Sequence, residues 1–256
     1  AIPGPRVYAA GIWIGRKDGV CEFGGIGIPG GAEGFRQRVR ENVAAGADFI
    51  KVCVTGWPAD AYAHPNDYEL PDSTLKAVVA AAHAERRRVI AHDISRGGVR
   101  AGVAAGIDGL AHTAYLDSAT ALLLRSRSVF MISTLASLTA GTPGAAGQAL
   151  IESVGLAQRT GVRLVFGTDG GVLPHGQNAK ELEALSAPAG NPLEERSRLE
   201  ALARALAEPL GPEDPRILWL GAEAKKWERN GEKSLVFVGE REALAFVKKE
   251  LEYWTS

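Results

Sequence analysis

The 256-residue sequence is poor in cysteine, with two, and nearly devoid of methionine, with one. Cys21 and Cys53 are too few to suggest a disulfide framework, so a reducing, cytoplasmic setting is expected. No apolar run is long enough to span a bilayer, which argues against a membrane partner. Charge of either sign is not in excess: 29 basic and 30 acidic residues leave a formal net charge of −1. Nothing global therefore attracts nucleic acid or an anionic membrane. The chain opens on Ala1-Ile2-Pro3-Gly4-Pro5, without Met and without a basic head and apolar middle, so no signal peptide is expected. Nucleotide signatures are also missing. No Walker-type phosphate loop occurs, and Gly24-Gly25-Ile26-Gly27 lies in a long loop with no helix directly after it.

What is present is ample apolar material, 46% of the chain, enough for one sizeable core. Short runs rich in Val, Ile and Phe read as strands: Arg6–Ile14, Asp48–Val54, Arg88–His92, Gly109–His112, Val129–Thr134 and Val162–Gly167. Ala-rich amphipathic stretches between them read as helices: Gly34–Ala45, Ser73–Glu85, Gly97–Ala105, Ser118–Arg125 and Ala145–Thr160. Asp72 and Ser73, then Asp117 and Ser118, precede helices as N-cap types do, and Gly106 and Gly161 follow them as C-cap types do. Strand and helix alternating in this way predict a parallel α/β sheet with helices outside it. An open doubly wound sheet and a closed barrel both remain possible on pattern alone.

Four residues stand at or near the carboxyl ends of separate strands, where α/β barrels build their sites. Lys51 shares one face of its strand with Phe49 and Cys53. His92 and His112 each end a strand, and Asp169 follows another. Imidazole and carboxylate are ligands that zinc and similar divalent metals take, leaving a position open for water. A lysine joins such a set only as an anionic carbamate made with carbon dioxide. Asp169 is then the candidate catalytic base as well as a ligand.

These segments resemble the amidohydrolase superfamily, in particular its imidazolonepropionase-like and prolidase-like members. The resemblance rests on Ala47–Gly56, Val89–His92, Ala105–His112, Val129–Leu135 and Val165–Glu181, and it covers about residues 4–186. It implies a distorted (β/α)8 TIM-type barrel that hydrolyses amide-type, ester or lactone bonds with a metal-activated water. It also implies that Lys51 is the strand-4 carbamate, His92 and His112 the strand-5 and strand-6 ligands, and Asp169 the strand-8 acid. Counting back from Lys51 makes Arg6–Ile14 strand 3, so strands 1 and 2 are expected to be absent. The family's first-strand His-x-His is not in the sequence, Ile94 stands where many relatives have a second histidine, and Ala111 replaces a common glutamate. One or two metal ions, zinc foremost, are the expected cofactor. A small molecule or peptide is the expected substrate, contacted by Tyr62, His64 and His175 on the loops after Lys51 and Asp169. An oligomer is compatible with all of this.

Composition changes near Ala187, which marks a boundary between a partial barrel, 1–186, and an α/β tail, 187–256. Residues 216–252 weakly resemble the opening of the second lobe of a SNF2-like helicase. The resemblance rests on Trp219–Glu228 and Gly231–Gly239. Lys225, Lys226, Arg229, Lys233, Lys248 and Lys249 make this stretch locally basic, which a solvated helix face explains better than a nucleic-acid surface.

Overall fold

In a computed structural model of the protein, the described residues are 7–22, 31–57, 61, 63–140, 145–174 and 176–186. The expected alternation is present. In chain order the elements are α1 Gly31–Ala44, β1 Ile50–Cys53, α2 Asp72–Ala84, β2 Val89–His92, α3 Arg96–Ala105, β3 Gly109–Ala111, α4 Ser118–Ser126, β4 Phe130–Ile132, α5 Leu135–Ala140, α6 Ala145–Thr160, β5 Leu164–Val165 and α7 Ala179–Ser186. The five strands pair in sequence order, all parallel. Each return from the end of one strand to the start of the next is made by a helix, the crossover that parallel pairing demands.

Alternation along each strand separates two chemistries. Ile50 and Val52 of β1, Val89 and Ala91 of β2, Leu110 of β3 and Met131 of β4 are buried against the helices. Their helical partners include Val39 of α1, Leu75 and Val78 of α2, Val99 and Val103 of α3 and Leu124 of α4. Lys51, Ile90, Gly109 and Phe130 lie in one row across the four strands, on the opposite face. The apolar layer stabilises the sheet, and the other face is left for function.

Local signals explain most helix ends. Asp117 caps α4 by accepting from Thr120 N–H at 2.8 Å, and Gly106 closes α3 at φ +94°. Ser95 caps α3 through Gly98 N–H. The expectation for Asp72 and Ser73 fails. Asp72 is already the first residue of α2, and Pro71, which cannot cap with a side chain, stands in the N-cap place.

The expected strand Arg6–Ile14 is not formed over its described part. Only Ile14 pairs, as a single parallel bridge to Val52 of β1. The reason is competition for its backbone. The side-chain amide of the buried Asn42 accepts from Ile12 N–H at 3.1 Å and donates to Ile12 C=O at 2.7 Å. Asp48 accepts from Ala9 N–H at 2.8 Å, and Gly11 turns the chain at φ +70°. The segment is therefore sewn to α1 and β1 by side chains. The proposed tail, its strand and its helicase-like stretch lie outside the described residues, as does the boundary at Ala187.

Cys21 and Cys53 are joined as a disulfide with Cα atoms 6.0 Å apart, inside the normal range. This corrects the expectation drawn from cysteine scarcity. A lone pair 32 residues apart carries no spacing signature, yet the fold brings it together. Gly15 is required nearby, because a Cβ there would stand 2.7 Å from Cys21 Cβ. Among the described residues no helix is long and apolar enough to cross a membrane. Peptide mapping without reductant is expected to return one Cys21–Cys53 peptide. Cys21→Ser is expected to lower the unfolding free energy by about 2–4 kcal/mol in denaturant titrations. Equal stability of the two proteins, both without reductant, would mean that the bond is not formed.

Candidate active site

β1, β2 and β3 carry the candidate residues at different heights. Lys51 is the second residue of β1, so its side chain must climb from mid-strand rather than start at the rim. His92 is the last residue of β2 and pairs in register with Cys53. His112 immediately follows β3, and Asp169 lies four residues beyond β5. The two imidazole rings are tilted against each other with centroids 4.9 Å apart.

The charge of Lys51 is felt by His92, His112 and Asp169. Burial pushes the Lys51 ammonium down to about 8, although the carboxylates of Asp169 and Asp93 pull it back up. Burial, and then the Lys51 charge, together lower His92 to about 4, against the Gly56 carbonyl, which raises it. His112 is driven well down by burial, then by His92 and Lys51. Burial raises Asp169 while Lys51 opposes. Both histidines are consequently neutral at pH 7, the form in which imidazole binds a metal.

Hydrogen bonds fix which nitrogen of each ring remains available. His112 Nδ1 meets the Thr134 hydroxyl at 2.9 Å, leaving Nε2 open. His92 Nε2 donates to Gly56 C=O at 3.2 Å, leaving Nδ1 as the acceptor. Partners of this kind set the tautomer and ring orientation of ligating histidines. The backbone is strained at the same places. His112, Thr134 and Asp169 have φ of 72°, 48° and 49°, at or just past the ends of β3, β4 and β5. Left-handed backbone is costly for non-glycine residues, most of all for β-branched Thr, and tends to cluster at functional sites.

Three residues that matter here were not singled out from the sequence. Thr134 had no signal beyond lying in a strand-end segment. Glu181, fully buried in the first turn of α7, accepts from Leu135 N–H at 2.9 Å and Ala136 N–H at 2.7 Å. It therefore ties α7, beyond the Asp169 loop, to the start of α5 and so to Thr134. The sequence signal for it was only a glutamate in a first helical turn. Asp93, next to His92, is fully buried, and neither carboxyl oxygen has a hydrogen-bond partner among the described residues. Burial raises its pKa well above the usual carboxylate range, with the Lys51 charge opposing. Gly98 and Gly102 of α3 make its slot. A Cβ on Gly98 would lie 2.2 Å from Asp93 Oδ1.

The expected substrate contacts fare differently. Tyr62 and His175 lie outside the described residues. His64 is exposed on the loop after β1. Among the described residues, no group of three or more His, Cys, Asp or Glu stands close enough to hold a metal ion. What the structure brings together is a pair of neutral imidazoles with Lys51 and Asp169 beside them. Two neutral imidazoles and a carboxylate are donors that a divalent metal takes, and Lys51 joins such a set only as an anion.

Comparison with known proteins places this arrangement. No protein-family model matches the chain. It is similar to an ochratoxinase of Aspergillus niger, 29% identical over 232 residues, covering 84% of this chain and 47% of the relative. The chain thus spans about half the length of the curated relatives it matches. The crystal structure of A. niger ochratoxinase superposes with a TM-score of 0.65 at 24% identity, covering 78% of this chain and 53% of that one. A Xaa-Pro dipeptidase with methionine bound in its active site superposes with a TM-score of 0.61 at 23% identity, covering 79% and 58%. The fold is accordingly α/β with a parallel sheet, a fold shared with these two solved structures.

Two expectations follow from the geometry. Thr134→Val keeps the shape of the side chain but leaves His112 Nδ1 buried without its partner, and should cost about 1–3 kcal/mol of stability in denaturant titrations. His92 has a depressed folded pKa, so between about 4 and 6.5 the unfolded chain binds more protons at this site than the folded one. Its contribution to stability is therefore complete above pH 6.5 and declines as pH falls towards 4. Asp93, with its raised pKa, acts in the opposite sense over the same interval. The test is consequently the difference between the protein and His92→Gln, which should shrink as pH falls from 7 to 4.5. A difference independent of pH would show that His92 is not held neutral by burial.

Proposed function

We propose that this chain carries the carboxyl-end residues of a metal-dependent hydrolase that cleaves amide-type C–N bonds, with ester and lactone bonds as related substrates. The observation that supports it best is the contact between the His92 and His112 rings, with the Lys51 charge acting on both of them and on Asp169. Perturbed titratable groups gathered in this way are characteristic of active sites. The similarity to an ochratoxinase and the fold shared with a Xaa-Pro dipeptidase favour an amide bond in a small molecule or peptide.

Lys51 supplies the missing anion in this reading. Carbon dioxide reacts with neutral amine only. With a pKa of about 8, roughly a quarter of Lys51 is neutral at pH 7.5, against about a thousandth for an ordinary lysine. The Nζ lone pair forms a bond to the carbon of carbon dioxide, an electron pair of one C=O moves onto its oxygen, and Nζ releases a proton. The product is a carbamate of charge −1, stabilised by any cation held beside it. His92 through Nδ1, His112 through Nε2, this carbamate and Asp169 are the groups that would hold a divalent metal, with zinc the first candidate. When bound, the metal supplies Lewis-acid polarisation of the scissile carbonyl and acidifies a water for attack. Asp169, half-buried with its pKa raised by burial, is suited to take that water's proton and pass it to the leaving nitrogen. Thr134 and Gly56 orient the two imidazoles. His64, Tyr62 and His175 are the proposed substrate contacts on the flanking loops.

A second reading is favoured by one observation: the 256 residues contain no His-x-His, and among the described residues no complete metal cluster stands ready. In that reading this stretch is inactive by itself and needs ligands from residues not included in it. The helicase-like reading of 216–252 draws no support from the relatives above and ranks last.

The two leading readings separate in one experiment. The chain is loaded with zinc or manganese and bicarbonate, then offered ochratoxin A and Xaa-Pro dipeptides. Turnover abolished by Asp169→Asn and by His92→Ala, by at least about a hundredfold, supports activity of this stretch alone. In ¹³C-bicarbonate, a carbamate resonance lost in Lys51→Arg supports the role of Lys51. Metal bound through these residues without turnover supports the second reading. Neither metal binding nor turnover would overturn both.

A further inference from the structure

The opposite end of the sheet holds a second constructed feature. Arg88 immediately precedes β2, Arg163 immediately precedes β5, and Arg127 closes α4 just before β4. All three line one pocket of about 360 Å³, near the lower limit for small-ligand sites. Arg88 and Arg127 make no side-chain hydrogen bond or ion pair among the described residues. Arg163 lies over the Phe130 ring, 5.3 Å from its centroid. The carboxylate in the pocket, Asp108, does not neutralise them. It makes no ion pair with an arginine among the described residues: it accepts from Val89 N–H at 2.7 Å, beside Arg88, and meets His83 Nε2 at 2.9 Å.

The floor is apolar and specifically shaped. Phe130 and Ile107 are buried beneath the arginines. The Phe130 ring rests on Gly109 of the neighbouring strand, where a Cβ would stand 2.3 Å from it. Glycine at this position therefore lets the ring lie across β3, with a guanidinium above it. Three guanidinium groups against the single carboxylate of Asp108 leave an excess of about two positive charges, which calls for a group of charge near −2, and their planar forks match phosphate oxygens. The apolar floor calls for a small hydrophobic or aryl substituent on that phosphate.

We infer that the amino-terminal end of this sheet is a binding site for a small phosphomonoester bearing an apolar or aryl group, separate from the carboxyl-end cluster. The site needs neither metal nor turnover, so its test is independent of the proposed hydrolase activity.

Calorimetric titration of the full chain with phenyl phosphate, inorganic phosphate and benzoate tests it. Phenyl phosphate should bind saturably and more tightly than the other two, since inorganic phosphate lacks the ring and benzoate the second charge. Arg127→Gln/Arg163→Gln should weaken it at least tenfold with an unchanged thermal unfolding midpoint. Should the double variant fail to fold, Arg127→Lys serves, since it keeps the charge but loses the fork and should weaken binding severalfold. Equal binding in these variants, or no saturable phenyl phosphate binding at millimolar concentration, would overturn the inference. So would an oligonucleotide that competes at lower concentration through the same arginines, because the surface would then be one for polyanions.

Discussion

The site depends on a lysine placed inside a buried strand. Lys51 sits between Ile50 and Val52, both wholly buried, on the face of β1 that looks away from the helices. Burying an ammonium is costly, and the structure offers it carboxylates only at a distance, at Asp169 and Asp93. That single placement perturbs everything around it. It helps to depress both histidines and opposes the rise of both acids. A change that turned Lys51 into an anion would reverse each of these influences at once. The cluster is therefore poised around the charge state of one side chain.

The order of elements was legible in the sequence because strands buried on both faces leave continuous apolar runs, and Gly and Asp punctuate the helices between them. Five of six expected strands exist, each trimmed to two to four residues. The sixth was misread because hydrophobicity at Val7, Tyr8, Ile12 and Trp13 suggested a strand, whereas these side chains are exposed and the backbone is held by Asn42 and Asp48. Side-chain pairing of a backbone leaves no periodic trace. The contact between His92 and His112 was legible because ordered strand ends predict where side chains converge. Thr134, Glu181 and Asp93 were not, since their roles arise from contacts 22 to 46 residues away or from an orphaned carboxyl group, which no local pattern encodes.

The two ends of the sheet have opposite characters, and parallel topology is the cause. Every strand starts at one end and finishes at the other, so residues leaving strands collect together, as do residues entering them. His92, His112 and Asp169 are exit residues. Arg88 and Arg163 are entry residues, and Arg127 closes the helix that returns to the entry side. Composition conceals this separation, because a near-zero net charge averages an arginine-rich end with the remainder of the chain.

The exit residues also differ in how firmly they are held, and this bears on which step of any reaction each could serve. His112 is gripped by Thr134, whose own N–H donates to Gly167 C=O at 3.1 Å, and the following helix is capped by the buried Glu181. Asp169 hangs beyond β5, the shortest strand, where Val165 and Phe166 are exposed. Its carbonyl accepts from Val172 and Leu173 N–H groups in a tight turn, which fixes the backbone but leaves the carboxyl half-buried. A ligand should be rigid, whereas a base that accepts a proton and releases it must reach water. Two neutral imidazoles are held by Gly56 and Thr134, while the Asp169 carboxyl stands on a turn beyond β5.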